Sequence, residues 1–264
     1  MYKNGQEGQT LQHFSVVKMK NLKRWIIIII LALFAAIYLL TQTVGSYSVF
    51  STEKGPRALT RSGNEDSKQV SLTFNISWGQ EKVHDILALL EKEKIQATFF
   101  VSGEWAERHP EIVDKIVEGN HELGMLGYQY KSYVEQDLED VRKDLRKATD
   151  VFRKLGYSNI ELLRPPNGHF NEDVLKTADQ MGFSVIYWSI NPNDWKNPGT
   201  DVIVKTVIDE TKGGDIILLH ASDAIKQTDS ALMEIIPALK KQKLSFVTIS
   251  ELISNSSSES KEVE

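Results

Sequence analysis

The stretch from Val70 to Val101 reads VSLTFNISWGQEKVHDILALLEKEKIQATFFV, and its three parts decide the fold class. Val70–Asn75 and Ala97–Val101 are short runs of the apolar and β-branched residues that favour strands. Between them, Val83–Glu93 places its valine, isoleucine and leucine side chains on one helical face. A strand, a helix and a second strand in this order are typical of a parallel sheet covered by helices.

The same alternation continues toward the C-terminus. Leu138–Leu155 carries the clearest helical stripe, and Gly156 ends it, while Asp215–His220 (DIILLH) is a strongly apolar strand. Counting every such pair gives about seven βα units, in a barrel or in a doubly wound sheet. No glycine-rich phosphate loop follows the first strand, which argues against nucleotide binding.

Composition excludes several classes of function. The chain has 264 residues, 41% of them apolar and 25% charged, as expected of a globular protein. Its net charge of -5 and the lack of a basic face argue against a nucleic-acid partner. The absence of cysteine excludes disulfides, thiolate catalysis and zinc–sulfur sites. Composition predicts nothing about the oligomeric state.

An apolar segment near the N-terminus predicts a membrane anchor. Residues 25–40 read WIIIIILALFAAIYLL, sixteen residues without a charge, and extension to residue 44 gives about 20, enough to span a bilayer as a helix. Lys18, Lys20, Lys23 and Arg24 precede it, which predicts that the N-terminus is inside the cell. A cleaved signal peptide is the alternative, but the long polar lead and the lack of an Ala-x-Ala site favour an uncleaved anchor.

These boundaries divide the chain into five segments. We predict a cytoplasmic segment 1–24, a single-pass transmembrane anchor 25–44, an extracytoplasmic linker 45–67, a folded domain 68–254 and a disordered tail 255–264. The protein would therefore lie in the cell membrane, with its folded domain outside.

Polar and aromatic residues follow the predicted strands, at the edge where parallel β/α folds hold their functional side chains. In order they are Asn75-Ile76, Leu126-Gly127-Tyr128-Gln129-Tyr130, Arg164-Pro165-Pro166-Asn167-Gly168, Trp188 through Asp194-Trp195, and His220. This ordered set resembles the five motifs of the polysaccharide deacetylases, which belong to the carbohydrate esterases, over the stretch from Lys68 to Ile253. The segments LTFNISWG, ATFFVSGEWAERHPEIV, LLRPPNGHFN, NPNDWKNPG and GGDIILLHAS are most similar to the sporulation-associated subgroup of spore-forming Gram-positive bacteria.

The resemblance implies a distorted (β/α) barrel and a reaction, the hydrolysis of the N-acetyl C–N bond of a cell-wall sugar. Family members use a divalent metal such as zinc to polarise the carbonyl and activate water. By the resemblance, Arg164 matches the arginine that orients the catalytic base. His220 matches the general acid, Asp194 and Trp195 match the Asp-Trp pair beside it, and Leu218 lies in the same motif as His220.

The residues that matter most for catalysis are replaced. Asn75 stands where the resemblance places the base, and an amide cannot accept a proton from water near neutral pH. Ile76, Leu126 and Tyr130 occupy the three metal-ligand positions, and Asn191 replaces a further aspartate. A divalent site needs at least three nitrogen or oxygen ligands, so we expect no metal cofactor.

Three functions remain open. In the first, a non-catalytic protein binds a peptidoglycan-type glycan, with Trp195, Trp78, Tyr130 and Leu218 contacting the sugar. In the second, a weak metal-free amidase uses His220 and Asp194 as the acid–base pair and Arg164 to stabilise the oxyanion. In the third, the domain is a structural module of a sporulation complex. For Trp188, core packing is the simpler interpretation, and Arg164 could form a buried ion pair.

Overall fold

The fold is described by a computed structural model, which covers residues 28–33, 51–52, 55–62 and 67–254. The chain divides into two units, Met1–Tyr47 and Ser48–Glu264. In the first unit, residues 28–33 are helical. None of the helices in the described part of the chain is long and apolar enough to cross a bilayer. Most of the predicted anchor, the segment 1–24 and the tail 255–264 lie outside the described residues, so these assignments stay predictions.

The second unit is built on a parallel sheet of seven strands, in the order β5-β4-β3-β2-β1-β6, with β7 pairing the start of β1. The strands are β1 (Gln69–Ile76), β2 (Thr98–Val101), β3 (Glu122–Met125), β4 (Leu162–Leu163), β5 (Ser184–Val185), β6 (Ile216–His220) and β7 (Ser245–Phe246). A separate two-stranded hairpin pairs Ser51–Thr52 with Gly55–Pro56.

Helices connect the strands and cover the sheet. They are α1 (Lys82–Glu93), α2 (Gly103–Arg108), α3 (Pro110–Glu118), α4 (Leu138–Lys154), α5 (Glu172–Gln180), α6 (Thr200–Glu210), α7 (Thr228–Lys241) and α8 (Ile249–Ser254), with 3-10 turns at Tyr133–Glu135, Pro166–Gly168 and Asp194–Lys196. Helix α2 was not predicted, because six residues are too few to show a helical period. The Ser102 hydroxyl caps it by accepting the Trp105 N–H at 3.4 Å.

The sheet is curled, and single bridges extend it beyond its named strands. Leu59 pairs with Ile186, and Ile190 pairs with Ile217 of β6, both in parallel. The α/β fold with a curled parallel sheet agrees with the prediction, although within the described residues the region after β5 joins β6 through the single Ile190–Ile217 bridge. Leu59 and Ala58 are buried, so part of the predicted linker 45–67 belongs to the folded domain. A lone leucine in a polar stretch has no periodicity that could have revealed this contact.

Strand β1 lies at the centre of the sheet and positions the functional residues. Its residues after Gln69 are all buried, and Leu72, Phe74 and Ile76 belong to the main core. A strand that is covered on both faces has a nearly continuous run of apolar residues in its sequence, and this strand fits that pattern. The register places Asn75, near its carboxyl end, between Phe100 of β2 and His220 of β6. The ends of these three strands therefore meet at one edge.

Candidate functional site

A pocket of about 490 Å³ opens at the carboxyl ends of the strands, and we call it the strand-end pocket. Its size suits a small ligand. Its lining combines amides, hydroxyls, aromatic rings and two histidines: Asn75, Ser77, Tyr130, Asn167, His169, Trp188, Asn191, Asn193, Trp195, Leu218, His220, Ser222 and Ile225. No carboxylate, lysine or arginine is among these lining residues.

Arg164 lies behind the pocket, fully buried at the end of β4. Its Nη1 donates to Asn75 Oδ1 at 3.0 Å, its Nη2 to the Tyr187 carbonyl at 3.0 Å and its Nε to the Ile186 carbonyl at 3.3 Å. The prediction that Arg164 orients the residue at position 75 therefore matches the geometry. Its predicted contact with an oxyanion does not, because the guanidinium does not line the pocket.

The charge of Arg164 has no carboxylate partner among the described residues, which argues against the buried ion pair. Its guanidinium carbon lies 4.0 Å from the centre of the Phe100 ring and 5.6 Å from that of Trp188. Such cation–π contacts replace only part of the lost hydration. Burial lowers the pKa of Arg164 to about 9, while the nearby Tyr130 and Tyr187 act in the opposite direction. The side chain is thus still charged at neutral pH.

The positions that the resemblance assigns to metal ligands do not fit a metal. Ile76 and Leu126 are fully buried hydrocarbon side chains in the two core clusters. The amide oxygen of Asn75 accepts a hydrogen bond from Arg164. In the described part of the chain, no three His, Asp or Glu residues are grouped so that they could hold an ion. We therefore assign no step to a metal.

Tyr130 reaches the pocket from the loop after β3. Burial is the largest influence and raises the pKa of its phenol, while the Asn167 backbone, the Arg164 charge and the Asn75 side chain act in the opposite direction. The phenol therefore keeps its proton at neutral pH and is a poor metal ligand.

Helix α4 fixes this loop through the Asp144 carboxylate. Asp144 accepts the backbone N–H groups of Tyr128 at 2.8 Å and Gln129 at 2.9 Å, and the Tyr133 hydroxyl at 2.8 Å. Gly127 adopts φ +80°, and a Cβ there would collide with the Tyr133 hydroxyl and Asp144. The loop is therefore held by contacts on both sides of Gly127.

His220 and Asp194 form the pair that the resemblance predicts. His220 Nδ1 lies 2.8 Å from Asp194 Oδ1, and the His220 backbone N–H donates to Asp194 Oδ2 at 2.8 Å. The Thr228 hydroxyl donates to the same oxygen at 2.8 Å. Asp194 is fully buried, so it fixes the His220 ring from behind while His220 lines the pocket.

Asn191 has a structural role in place of the expected aspartate. Its Oδ1 accepts the Asn193 N–H at 2.9 Å, which forms a local turn. Asn193 has φ 55°, a left-handed conformation that asparagine tolerates better than most residues. This turn leads directly into Asp194 and therefore helps to place it.

The aromatic residues are distributed differently from the prediction. Trp195 is half exposed and lines the pocket, as predicted, and Leu218 also lines it. Trp78 is 63% exposed but is not among the lining residues. Trp188, interpreted as a core residue, packs against the smaller core cluster, which contains Phe100 and Leu126, and it also lines the pocket. Its ring stacks on that of Tyr187, with 3.8 Å between the ring centres.

Sequence reasoning missed four of the lining residues, Ser77, His169, Ser222 and Ile225, and it assigned no role to Asn167 and Asn193, which lie within the quoted motifs. The His169 Nδ1 lies 3.1 Å from the Ser132 hydroxyl, and its side chain lines the pocket. Each of these residues follows a motif residue within five positions in the sequence. Their short separation in sequence from the motifs at the strand ends was the signal that could have identified them.

Comparisons with known proteins agree with this fold. A family model described as polysaccharide deacetylase matches residues 62–186. A peptidoglycan-N-acetylglucosamine deacetylase of Bacillus cereus is 35% identical over 191 residues, which cover 71% of this chain and 89% of the relative. The uncharacterized protein YlxY of Bacillus subtilis is 26% identical, covering 72% of this chain and 59% of the relative.

Solved structures are also similar. BA3943 of Bacillus anthracis, described as a CE4 family pseudoenzyme, is 31% identical with a TM-score of 0.70, covering 75% of this chain and 69% of that one. A mutant of that protein is described as having restored enzymatic activity. The Bc1960 peptidoglycan N-acetylglucosamine deacetylase is 29% identical with a TM-score of 0.71, covering 76% of this chain and 94% of that one.

Proposed function

Because the chain belongs to the polysaccharide deacetylase family, we propose that it binds a peptidoglycan-type glycan of the cell wall without hydrolysing it. One observation carries the proposal. Asn75, an amide, stands at the position of the catalytic base, and the buried apolar side chains of Ile76 and Leu126 stand at two of the metal-ligand positions. The existence of a CE4 family pseudoenzyme with a similar structure supports the loss of activity.

The pocket supports glycan binding. Asparagine and serine side chains supply neutral donors and acceptors for sugar hydroxyls, and the indole rings of Trp188 and Trp195 supply flat apolar faces. An apolar filling of the pocket would have favoured a purely structural module. Ile76 and Leu126 are buried and do not line the strand-end pocket, which is open and is lined largely by polar and aromatic side chains.

The proposed location follows from the sequence. With the anchor 25–44 in the membrane and the basic residues before it inside, the domain faces the wall, where its ligand lies. A role in the spore envelope extends the proposal, on the basis of the resemblance to the sporulation-associated subgroup. Protease digestion of intact protoplasts tests the orientation, because only an outward-facing domain is cleaved.

The experiment that tests the function measures binding and hydrolysis side by side. The purified domain, residues 55–254, is titrated with muropeptides by calorimetry, and acetate release from the same muropeptides is assayed with zinc and with EDTA. We expect binding at up to millimolar ligand and no release in either condition. Release that requires zinc would contradict the loss of activity, and no binding at all would leave only the structural role.

A further inference from the structure

Two polar side chains of the strand-end pocket, those of Asn75 and His220, are neighbours on adjacent strands. The register pairs these residues across β1 and β6, and both line the pocket. Paired residues of parallel strands project to the same face of the sheet, and such strands lie about 4.8 Å apart. The two side chains are therefore side by side, and both approach a ligand from the same direction.

The contacts behind this pair fix which member donates and which accepts. Arginine only donates hydrogen bonds, so the Asn75 atom 3.0 Å from Arg164 Nη1 is the amide oxygen, and the amide nitrogen remains as a donor with two hydrogens. The Asp194 carboxylate only accepts, so His220 Nδ1, 2.8 Å from it, carries the proton and Nε2 of the neutral ring is an acceptor. The pair thus offers a ligand one donor next to one acceptor.

A buried charge stands behind each member of the pair, and the two charges have opposite signs. Arg164 contacts Asn75, Asp194 contacts His220, and both charged side chains are fully buried. Hydrogen bonds in series polarise one another, so the cation strengthens the Asn75 N–H as a donor and the anion strengthens His220 Nε2 as an acceptor. Because the two charges offset each other, the pair favours a neutral group with a strong dipole over a carboxylate or an ammonium group.

We infer that the pair of Asn75 and His220 binds a syn amide, which is a lactam or a primary carboxamide, carried by the glycan or by a peptide attached to it. The C=O and an N–H of a syn amide lie on the same side, so the C=O accepts from Asn75 Nδ2 while the N–H donates to His220 Nε2. A trans secondary amide, such as an N-acetyl group, directs its C=O and N–H to opposite sides and reaches only one of the two. The inference rests on the proposed glycan binding and specifies the group that is recognised.

Saturation-transfer NMR of the full-length protein, kept in detergent because of the predicted anchor, tests the inference at pH 8 with small ligands of matched size. The syn amides are δ-valerolactam and pentanamide, the trans amide is N-ethylpropanamide, and cyclohexanol represents a ring hydroxyl. We expect at least one syn amide to bind on the order of tenfold more tightly than the trans amide and the alcohol, which is the effect of one further hydrogen bond. Whether the lactam, the carboxamide or both show this preference identifies the source of the group.

A variant locates the preference. Asn75→Asp replaces the donor with a second acceptor and should remove the preference for syn amides, while its carboxylate pairs with Arg164 and keeps the protein folded. Asn159→Asp is the matched control, because it adds the same charge at an exposed residue outside the pocket lining, and the preference should persist. A preference that survives in Asn75→Asp would overturn the inference.

The wild-type protein also tests the inference without any variant. Equal binding of syn and trans amides, or of the lactam and cyclohexanol, would overturn it. If muropeptides still bind in that case, the proposed glycan binding is intact and only the recognised group is wrong. If neither muropeptides nor amides bind, both proposals are overturned.

Discussion

At the scale of single residues, the replacement at position 75 affects stability as well as chemistry. Arg164 is a fully buried cation whose side-chain contact is a neutral amide, and burial lowers its pKa to about 9. Breaking a buried ion pair by removing one partner costs about 3–5 kcal/mol in other proteins. In the wild-type chain the buried Arg164 already lacks a carboxylate partner. Introducing one at position 75 should therefore increase the free energy of unfolding.

We expect Asn75→Asp to raise the free energy of unfolding by about 1–2 kcal/mol at pH 7, since the carboxylate pairs with Arg164. The pairing lowers the carboxyl pKa in the folded state, so the gain is present above the unfolded value of about 4 and is lost as the pH falls below it. Urea unfolding at pH 7 and pH 3 measures both. Asn191→Asp, which adds the same charge without contacting Arg164, should give no gain, and a less stable Asn75→Asp variant would contradict the argument.

His121 predicts a second dependence on pH. Its Nδ1 accepts the Ala97 N–H at 3.2 Å, and its ring packs against Phe99. Burial lowers the pKa of His121 to about 4, so the unfolded chain, with a pKa near 6.5, binds more protons between these values. Stability should therefore fall as the pH is lowered from 6.5 to 4, by about 1–2 kcal/mol after allowance for solvent screening.

Replacing His121 with glutamine should remove most of this pH dependence, as measured by urea unfolding across the same range. His84→Gln, at an exposed position on α1, should leave it unchanged. If the free energy of unfolding depends on pH equally in the wild type and in His121→Gln, then other groups cause the acid sensitivity.

At the scale of elements, the loop from Gly127 to Tyr133 depends on α4. Asp144→Ala removes the acceptor for two backbone N–H groups and leaves the Tyr133 hydroxyl buried without its partner. We expect a loss of about 2–3 kcal/mol in the free energy of unfolding, together with weaker glycan binding because Tyr130 shifts. Asp140→Ala, on the exposed face of the same helix, should change stability by less than about 0.5 kcal/mol. Equal effects of the two substitutions would rule out a special role for Asp144.

Elements were also the level at which sequence predicted most. Periodicity located β1, α4 and β6 because their apolar residues repeat at regular spacing or form continuous runs. It could not locate α2, which has six residues, or the buried Leu59, which stands alone. In the site, the motifs predicted the His220–Asp194 pair and the contact of Arg164 with Asn75. They could not predict that Trp188 rather than Trp78 lines the pocket, because that depends on how loops from different strands pack.

At the scale of the whole molecule, the strand ends where the family resemblance places a metal site are present in this chain, but Ile76 and Leu126 stand at two of the ligand positions. The register keeps Asn75 next to His220, and Asp194 still fixes the His220 ring. If this arrangement is intact, restoring the missing side chains should restore metal binding without any other change. The alternative is that the backbone has shifted around Ile76 and Leu126, and then four side chains would not be enough.

The variant combining Asn75→Asp, Ile76→Asp, Leu126→His and Tyr130→His tests this. Without metal it should be less stable than the wild type, because a carboxylate and an imidazole enter buried apolar positions. Zinc should bind in the micromolar range or tighter, raise the melting temperature and allow acetate release from N-acetylated glycans. The same variant with Asn75 retained is the control: it should bind zinc but release little acetate, since it lacks the base. Zinc binding without acetate release in the full variant would mean that the metal site can be built on this sheet while the pocket does not place an N-acetylated glycan for hydrolysis.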